Sequence, residues 1–158
     1  MKKIFFLSLV YCKCLVVVCV ALTSLSCTSF DGYTKNKPAS KDLWGAWQPD
    51  AKTTDNLKQR GRFNTDIPVI FNVKEDGTFA LSNMPDWWED SYGASHQLRQ
   101  SYNGYWELQE TGGLWVILLK YNEKMKFFSI LGSQSPYKFE AILGDPDSQN
   151  EMIFVKSK

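Results

Sequence analysis

Val69-Ile-Phe-Asn-Val-Lys-Glu-Asp-Gly-Thr-Phe-Ala-Leu-Ser82 decides the fold class. Val69, Phe71 and Val73 share one parity, so the first run presents one apolar face, as a half-buried strand does. Glu75-Asp-Gly77 then reverses the chain, because Gly and Asp tolerate the positive φ that a tight hairpin demands, and Thr78 to Ser82 returns as a second strand. The pattern repeats outward in both directions. Leu43-Trp-Gly-Ala-Trp47 reads as the first strand. Thr53 to Arg60 reads as a short helix, with Thr53 or Thr54 as N-cap and Gly61 as its stop.

Downstream, Ser101 to Gln109 places Tyr102, Gly104, Trp106 and Leu108 on one parity, and Thr111-Gly-Gly113 turns it into Leu114 to Lys120. Asn122-Glu-Lys leads to Lys126 through Leu131, Ser133-Gln-Ser-Pro136 to Tyr137 through Leu143, and Gly144-Asp-Pro-Asp-Ser148 to Met152 through Lys156. These runs amount to about eight strands joined mainly by short loops. A meander of this kind must manage its exposed sheet edges, and closure is one way to do so. The expected fold is all-β, an up-and-down antiparallel barrel or a strongly curled sheet, with one short helix after the first strand.

Before that domain the chain changes character. Lys2 and Lys3 precede an apolar core, Leu15 to Leu22, which has the length of a signal-peptide core and is too short to span a bilayer. The longer run from Ile4 to Leu25 approaches the length of a transmembrane helix but carries Lys13 at its centre, where a lysine costs about 2.5–3.5 kcal/mol on insertion scales. Leu22-Thr-Ser-Leu-Ser-Cys27 resembles the lipobox of bacterial lipoproteins: Ser26 is the small residue before the cysteine, while Ser24 stands where Leu is usual. The resemblance implies cleavage after residue 26 and a diacylated Cys27 as lipid attachment site. Thr28 is not the Asp of the inner-membrane retention signal, so a Gram-negative host would favour the outer membrane. The expected organisation is a signal peptide over 1–26, a polar flexible tether over 27–41 and a β domain over 42–158.

Cys12, Cys14, Cys19 and Cys27 are the only cysteines of the 158-residue chain, so the β domain contains no disulfide. Removing residues 1–26 takes three of the 18 basic residues and none of the 17 acidic ones, leaving a formal charge of −2. Nucleic acid is therefore not an expected partner, since its binders present a basic stripe. All six tryptophans lie from Trp44 onward, which supplies large rings for a core.

The β region resembles the lipocalin-like (calycin) small barrels of bacterial lipoproteins. Leu43-Trp-Gly-Ala-Trp47 is similar to their Leu-x-Gly-x-Trp start, Asp76-Gly-Thr-Phe79 to their Asp-Gly-Thr-Phe hairpin, and Asn103-Gly-Tyr-Trp106 to their later Gly-x-Trp strand. Gly144-Asp-Pro-Asp147 with Ile153-Phe154 is similar to the ending of uncharacterised exported bacterial proteins. The resemblance implies a fold, and folds of this kind host many functions.

Catalysis has few candidates. His96 is the only histidine, with no Gly-x-Ser-x-Gly context, and one His without a cysteine pair does not make a zinc site. Asp145 to Glu151 fails the calcium-loop pattern, with Gln149 and Asn150 where a ligand and its Gly should stand. No catalytic residue, metal or cofactor is expected. The unusual stretch is Asn83 to Tyr92, where Trp87, Trp88 and Tyr92 sit in a connection of about 18 residues, a length more often functional than structural. Two adjacent tryptophans on a strand would face opposite ways. The two readings are a lid over the barrel's own core and a surface that contacts a ligand or partner.

Two functions remain. One is a lipid-anchored, non-catalytic envelope module that grips another protein, as an inhibitor or immunity factor does. The other is a carrier of a small apolar ligand inside a barrel. Membrane, through the anchor, and an unknown envelope protein or apolar ligand are the expected partners.

Overall fold

In the computed structural model the described residues are 32–59, 66–89, 99–145, 147 and 150–158. The hairpin that decides the fold joins β2 (Ile70–Val73) to β3 (Thr78–Pro85), with Val73 opposite Phe79 and Phe71 opposite Leu81. Its turn is wider than a two-residue loop. The Gly77 N–H donates to the Lys74 carbonyl at 3.3 Å, Lys74 N–H to Thr78 O at 3.0 Å, and only Gly77 has positive φ. The Asp76 carboxylate accepts from the Thr78 N–H and hydroxyl at 2.9 and 2.6 Å, which also holds the carboxyl below its usual pKa.

The expected all-β architecture is present as a closed barrel. β1 (Gly45–Pro49), β2, β3, β4 (Arg99–Thr111), β5 (Leu114–Tyr121), β6 (Lys124–Leu131), β7 (Lys138–Ile142) and β8 (Glu151–Lys156) pair antiparallel in chain order. β8 returns to β1, with Trp47 opposite Lys156, so the sheet has no free edge. β4 is long enough to serve both neighbours in turn. Its first half pairs with β3 as far as Tyr105↔Thr78, and its second half pairs with β5 from Tyr105↔Lys120 onward.

Among the described residues, two short α-helices accompany the barrel. α1 (Ser40–Leu43) precedes β1, so the predicted first strand begins two residues late, at Gly45. Leu43 and Trp47 are nonetheless core residues, tied together by Trp47 Nε1–H donating to Leu43 O at 2.9 Å. α2 (Ala51–Gln59) is the predicted helix after the first strand, capped differently from expectation. The Asp50 carboxylate accepts from Thr53 N–H at 2.7 Å, because Asp50 stands at the true N-cap. Thr53 is one turn inside, and its hydroxyl accepts from Ile153 N–H of β8 at 3.1 Å. Arg60 and Gly61, the expected stop, lie outside the described residues.

The core follows strand parity. Trp47, Phe71, Phe79, Leu81, Tyr102, Ile117, Leu119, Tyr121, Phe128, Ile130, Phe139, Met152 and Phe154 are all buried. Phe71 is the hub, with the rings of Phe79, Phe128, Phe139 and Phe154 at 5.2–6.1 Å in edge-to-face geometry. Phe128 stacks on Phe154 at 5.6 Å and Trp47 leans on Phe139 at 4.3 Å. Rings at these distances attract beyond their area burial and leave little empty volume between them.

The segment read as a flexible tether over 27–41 is docked where it is described. β5 and β6 cease pairing at Val116↔Ser129, and Thr34 takes the next place between them. Thr34 N–H donates to Ile130 O at 2.8 Å, Trp115 N–H donates to Thr34 O at 2.9 Å, and the Thr34 hydroxyl donates to Gly132 O. Tyr33 bridges Leu131, Pro38 is buried, and Lys37 Nζ lies 5.3 Å from the centre of the Trp115 ring. Polar composition suggested a linker, but these contacts are mostly backbone hydrogen bonds, which require no apolar period. The compact unit begins at Gly32, not at Asp42.

Candidate functional site

The end of the barrel that carries α2 and the β3–β4, β5–β6 and β7–β8 connections holds the tryptophans that the sequence singled out. β3 continues past its predicted end at Ser82, bulging at Asn83 (φ 62°) and resuming at Met84. Pro85 then starts a 3₁₀ turn, Asp86–Trp88, with Asp86 Oδ1 accepting from Trp87 N–H at 2.9 Å. A 3₁₀ turn has no two-residue alternation, so adjacent side chains need not diverge. Both rings point inward, with Trp87 at 1% and Trp88 at 2% exposure.

Of the two readings given to these residues, this placement is that of the lid: both rings pack on the barrel's own core. Trp88 stacks on Tyr121 at 5.8 Å with a 20° interplanar angle, and meets Tyr102 at 4.9 Å and Phe128 at 5.8 Å edge-on. Tyr92 and His96 lie outside the described residues, as does Cys27.

The polar atoms at this end are buried, some paired and some, such as the Tyr121 hydroxyl, without a hydrogen-bond partner among the described residues. Tyr102 O–H donates to Gln100 Oε1 at 2.8 Å, and burial pushes its phenol up to about 12. Tyr121 is raised further, by burial first and then by the Glu89 carboxylate, which itself accepts from Lys124 Nζ at 3.1 Å. Both phenols are therefore neutral across physiological pH, unsuited to act as bases. Trp87 Nε1 has no partner among the described residues. Also among the described residues, no three His, Cys, Asp or Glu side chains are grouped to hold a metal ion.

The interior that a carrier would use is occupied by the rings around Phe71. Clefts lie at its rim and on its surface: one beside α2, lined by Pro49, Leu57, Pro68, Val69 and Met152, measures about 110 Å³, and a broad open one over Tyr105, Lys120 and Met125 measures about 450 Å³. Small-molecule sites usually start at about 300 Å³.

Two outer features escaped the sequence reading. The first is Glu140, on the outward parity of β7 but only 8% exposed, whose Oε2 accepts from Tyr33 O–H at 3.0 Å. Burial, with Glu151 close by, raises its pKa above the ordinary carboxylate value. No local signal could announce it, since the docked Tyr33 lies 107 residues away. The sign is definite: a carboxyl that binds its proton more tightly when folded adds stability below its unfolded pKa, and that contribution is lost as pH rises through the folded pKa. Glu140→Gln should therefore melt higher than wild type at pH 7–8, and the gap should close towards pH 4, below the unfolded value near 4.3. Equal gaps at both pH values would refute the assignment.

The second is a row of large side chains on the outer face of β4 and β6. Tyr105, Met125 and Phe127 are 68, 67 and 60% exposed. Register makes them neighbours: Tyr105 faces Lys120 on β5, which faces Met125 on β6, and the next outward row runs Glu107, Leu118, Phe127. Phe127 and Phe128 are adjacent on β6. Strand parity separates the pair, sending Phe128 into the core and leaving Phe127 outside.

These features define the protein as a closed, eight-stranded up-and-down antiparallel barrel with a side-chain-filled interior. No family model, curated protein or solved structure matches the chain.

Proposed function

We propose that this protein is a lipid-anchored module of the bacterial cell envelope, non-catalytic, which acts by binding another envelope protein with its outer surface and loops, in the manner of an inhibitor or immunity factor. The observation that carries this reading is the filled interior. With Phe71 in contact with four rings inside the sheet, the chemistry the barrel can offer lies on its outside. The same observation counts against a carrier of small apolar ligands, because a guest would have to displace packed rings.

The lipoprotein assignment rests on the Leu22 to Cys27 segment and its similarity to a lipobox. Two or three acyl chains, at about 0.8 kcal/mol per buried methylene, anchor stably where one does not. The lipocalin-like kinship rests on Leu43 to Trp47, Asp76 to Phe79 and Asn103 to Trp106, and on a barrel closed in strand order.

Cys27→Ser should move the protein from the membrane to the soluble fraction and abolish incorporation of a fatty-acid analogue. Wild-type protein that takes up no label would overturn the anchor. Binding is tested by capture from detergent-solubilised envelope with the Gly32–Lys158 unit. Recovery of a single stoichiometric protein supports the module. Saturable uptake of an apolar fluorophore without any protein partner would favour the carrier.

A further inference from the structure

Where the docked segment leaves the barrel restricts how an anchored barrel can sit. Gly132 N–H donates to Gly32 O at 2.9 Å, and Tyr33 bridges Leu131. The chain thus joins the domain at the last residues of β6, along the edge that faces β5. From Cys27 to Gly32 there are five peptide steps, which reach at most about 18 Å even if fully extended. If Cys27 is acylated as proposed above, on which this inference rests, the bilayer surface must lie within that distance of the C-terminal end of β6.

Two orientations satisfy the reach. End-on, the barrel would present α1 and the turns Glu75 to Gly77, Thr111 to Gly113 and Ser133 to Ser135; the three turns carry no apolar side chain, and the exposed residues of α1 are Ser40 and Lys41. Side-on, it presents the outer face of β4–β6. Phe127 is four residues back from Leu131 along the strand, about 13 Å, and Met125 about 20 Å. This face carries the exposed Tyr105, Met125 and Phe127.

We infer that the protein rests side-on against the membrane, with Phe127 and Met125 lodged in the interfacial region and Tyr105 at headgroup level. The occupant is a lipid surface recognised by apolar insertion. Charge does not drive it: Lys120 pairs with Glu107 at 2.8 Å and Lys124 with Glu89 at 3.1 Å. Aromatic and apolar side chains suit the interface on these terms, with the amphipathic tyrosine at its boundary. The consequence is that β2, opposite β6 in the eight-strand ring, is turned to the aqueous side, free to meet a partner.

The test uses the full-length acylated protein in phosphatidylcholine vesicles. After cleavage before Cys27, whose thiol carries lipid, an introduced cysteine is the only free thiol. Bimane is attached in Met125→Cys and, as control, in Asn72→Cys on β2. Quenching by doxyl groups on the lipid chains should be about threefold or more stronger at position 125 than at 72, and a second substitution, Phe127→Ser, should reduce it. Adding phosphatidylglycerol or salt should change little. Equal, weak quenching at both positions in protein that still sediments with the vesicles would overturn the orientation and leave the anchor standing. A blue shift at 125 without lipid quenching would mean that protein covers the face, and would overturn it too. Acylation, scored by sedimentation of wild type against Cys27→Ser, separates failure of the anchor from failure of the orientation.

Discussion

Trp88→Ala is expected to destabilise the domain by about 3–5 kcal/mol, the usual cost of deleting a large buried aromatic. For a domain of this size that is a fall in melting temperature of roughly 10–20 °C. The ring is 2% exposed and touches Tyr102, Tyr121 and Phe128, so its loss leaves a cavity bounded by three other aromatic side chains. Trp87→Ala should cost less. Trp87 is as buried, but its Nε1–H has no partner among the described residues, and removing an unsatisfied donor returns part of the transfer loss. Thermal melts of both variants decide between plug and contact residue. If Trp88→Ala melts within a few degrees of wild type, the ring does not close the core as described.

Gly104→Ala should be the most damaging single-methyl change in the barrel. A Cβ at residue 104 would stand 2.0 Å from the Lys120 carbonyl oxygen and 3.1 Å from Cε1 of Phe79. The first obstacle is backbone, which a rotamer change cannot relieve. Gly104 lies where β4 passes from pairing with β3 to pairing with β5, and a strand glycine often marks such a close approach of another backbone. Overpacking typically costs 1–3 kcal/mol, and a clash with fixed backbone belongs at about the upper end. Far-UV circular dichroism with a denaturant titration reads the loss. A midpoint unchanged within error would mean that β5 can move aside freely, against the closed register.

Much of this architecture was legible in the residues. Alternation along Val69 to Val73 and along Tyr102 to Leu108 marked inward faces, and the Gly112-Gly113 and Asp76-Gly77 turns marked reversals, because strand periodicity and turn chemistry are local properties. The turn type at Asp76-Gly77 was not legible: a two-residue and a wider loop use the same letters, and the choice depends on how Val73 and Phe79 register in the sheet. Trp87 and Trp88 were visible as unusual, but their direction depended on whether Asp86–Trp88 continued the strand or coiled into a 3₁₀ turn.

The site was far less legible than the fold. Composition and period alone could establish an all-β domain without disulfides and a short helix after the first strand. Closure of β8 on β1, the filling of the interior around Phe71, the seating of Thr34 between β5 and β6, and the meeting of Tyr33 with Glu140 were decided only in three dimensions. The physical reason is range: hairpins join residues a few positions apart, whereas each of these contacts joins segments separated by many tens of residues, whose pairing is chosen by the packing of the whole barrel.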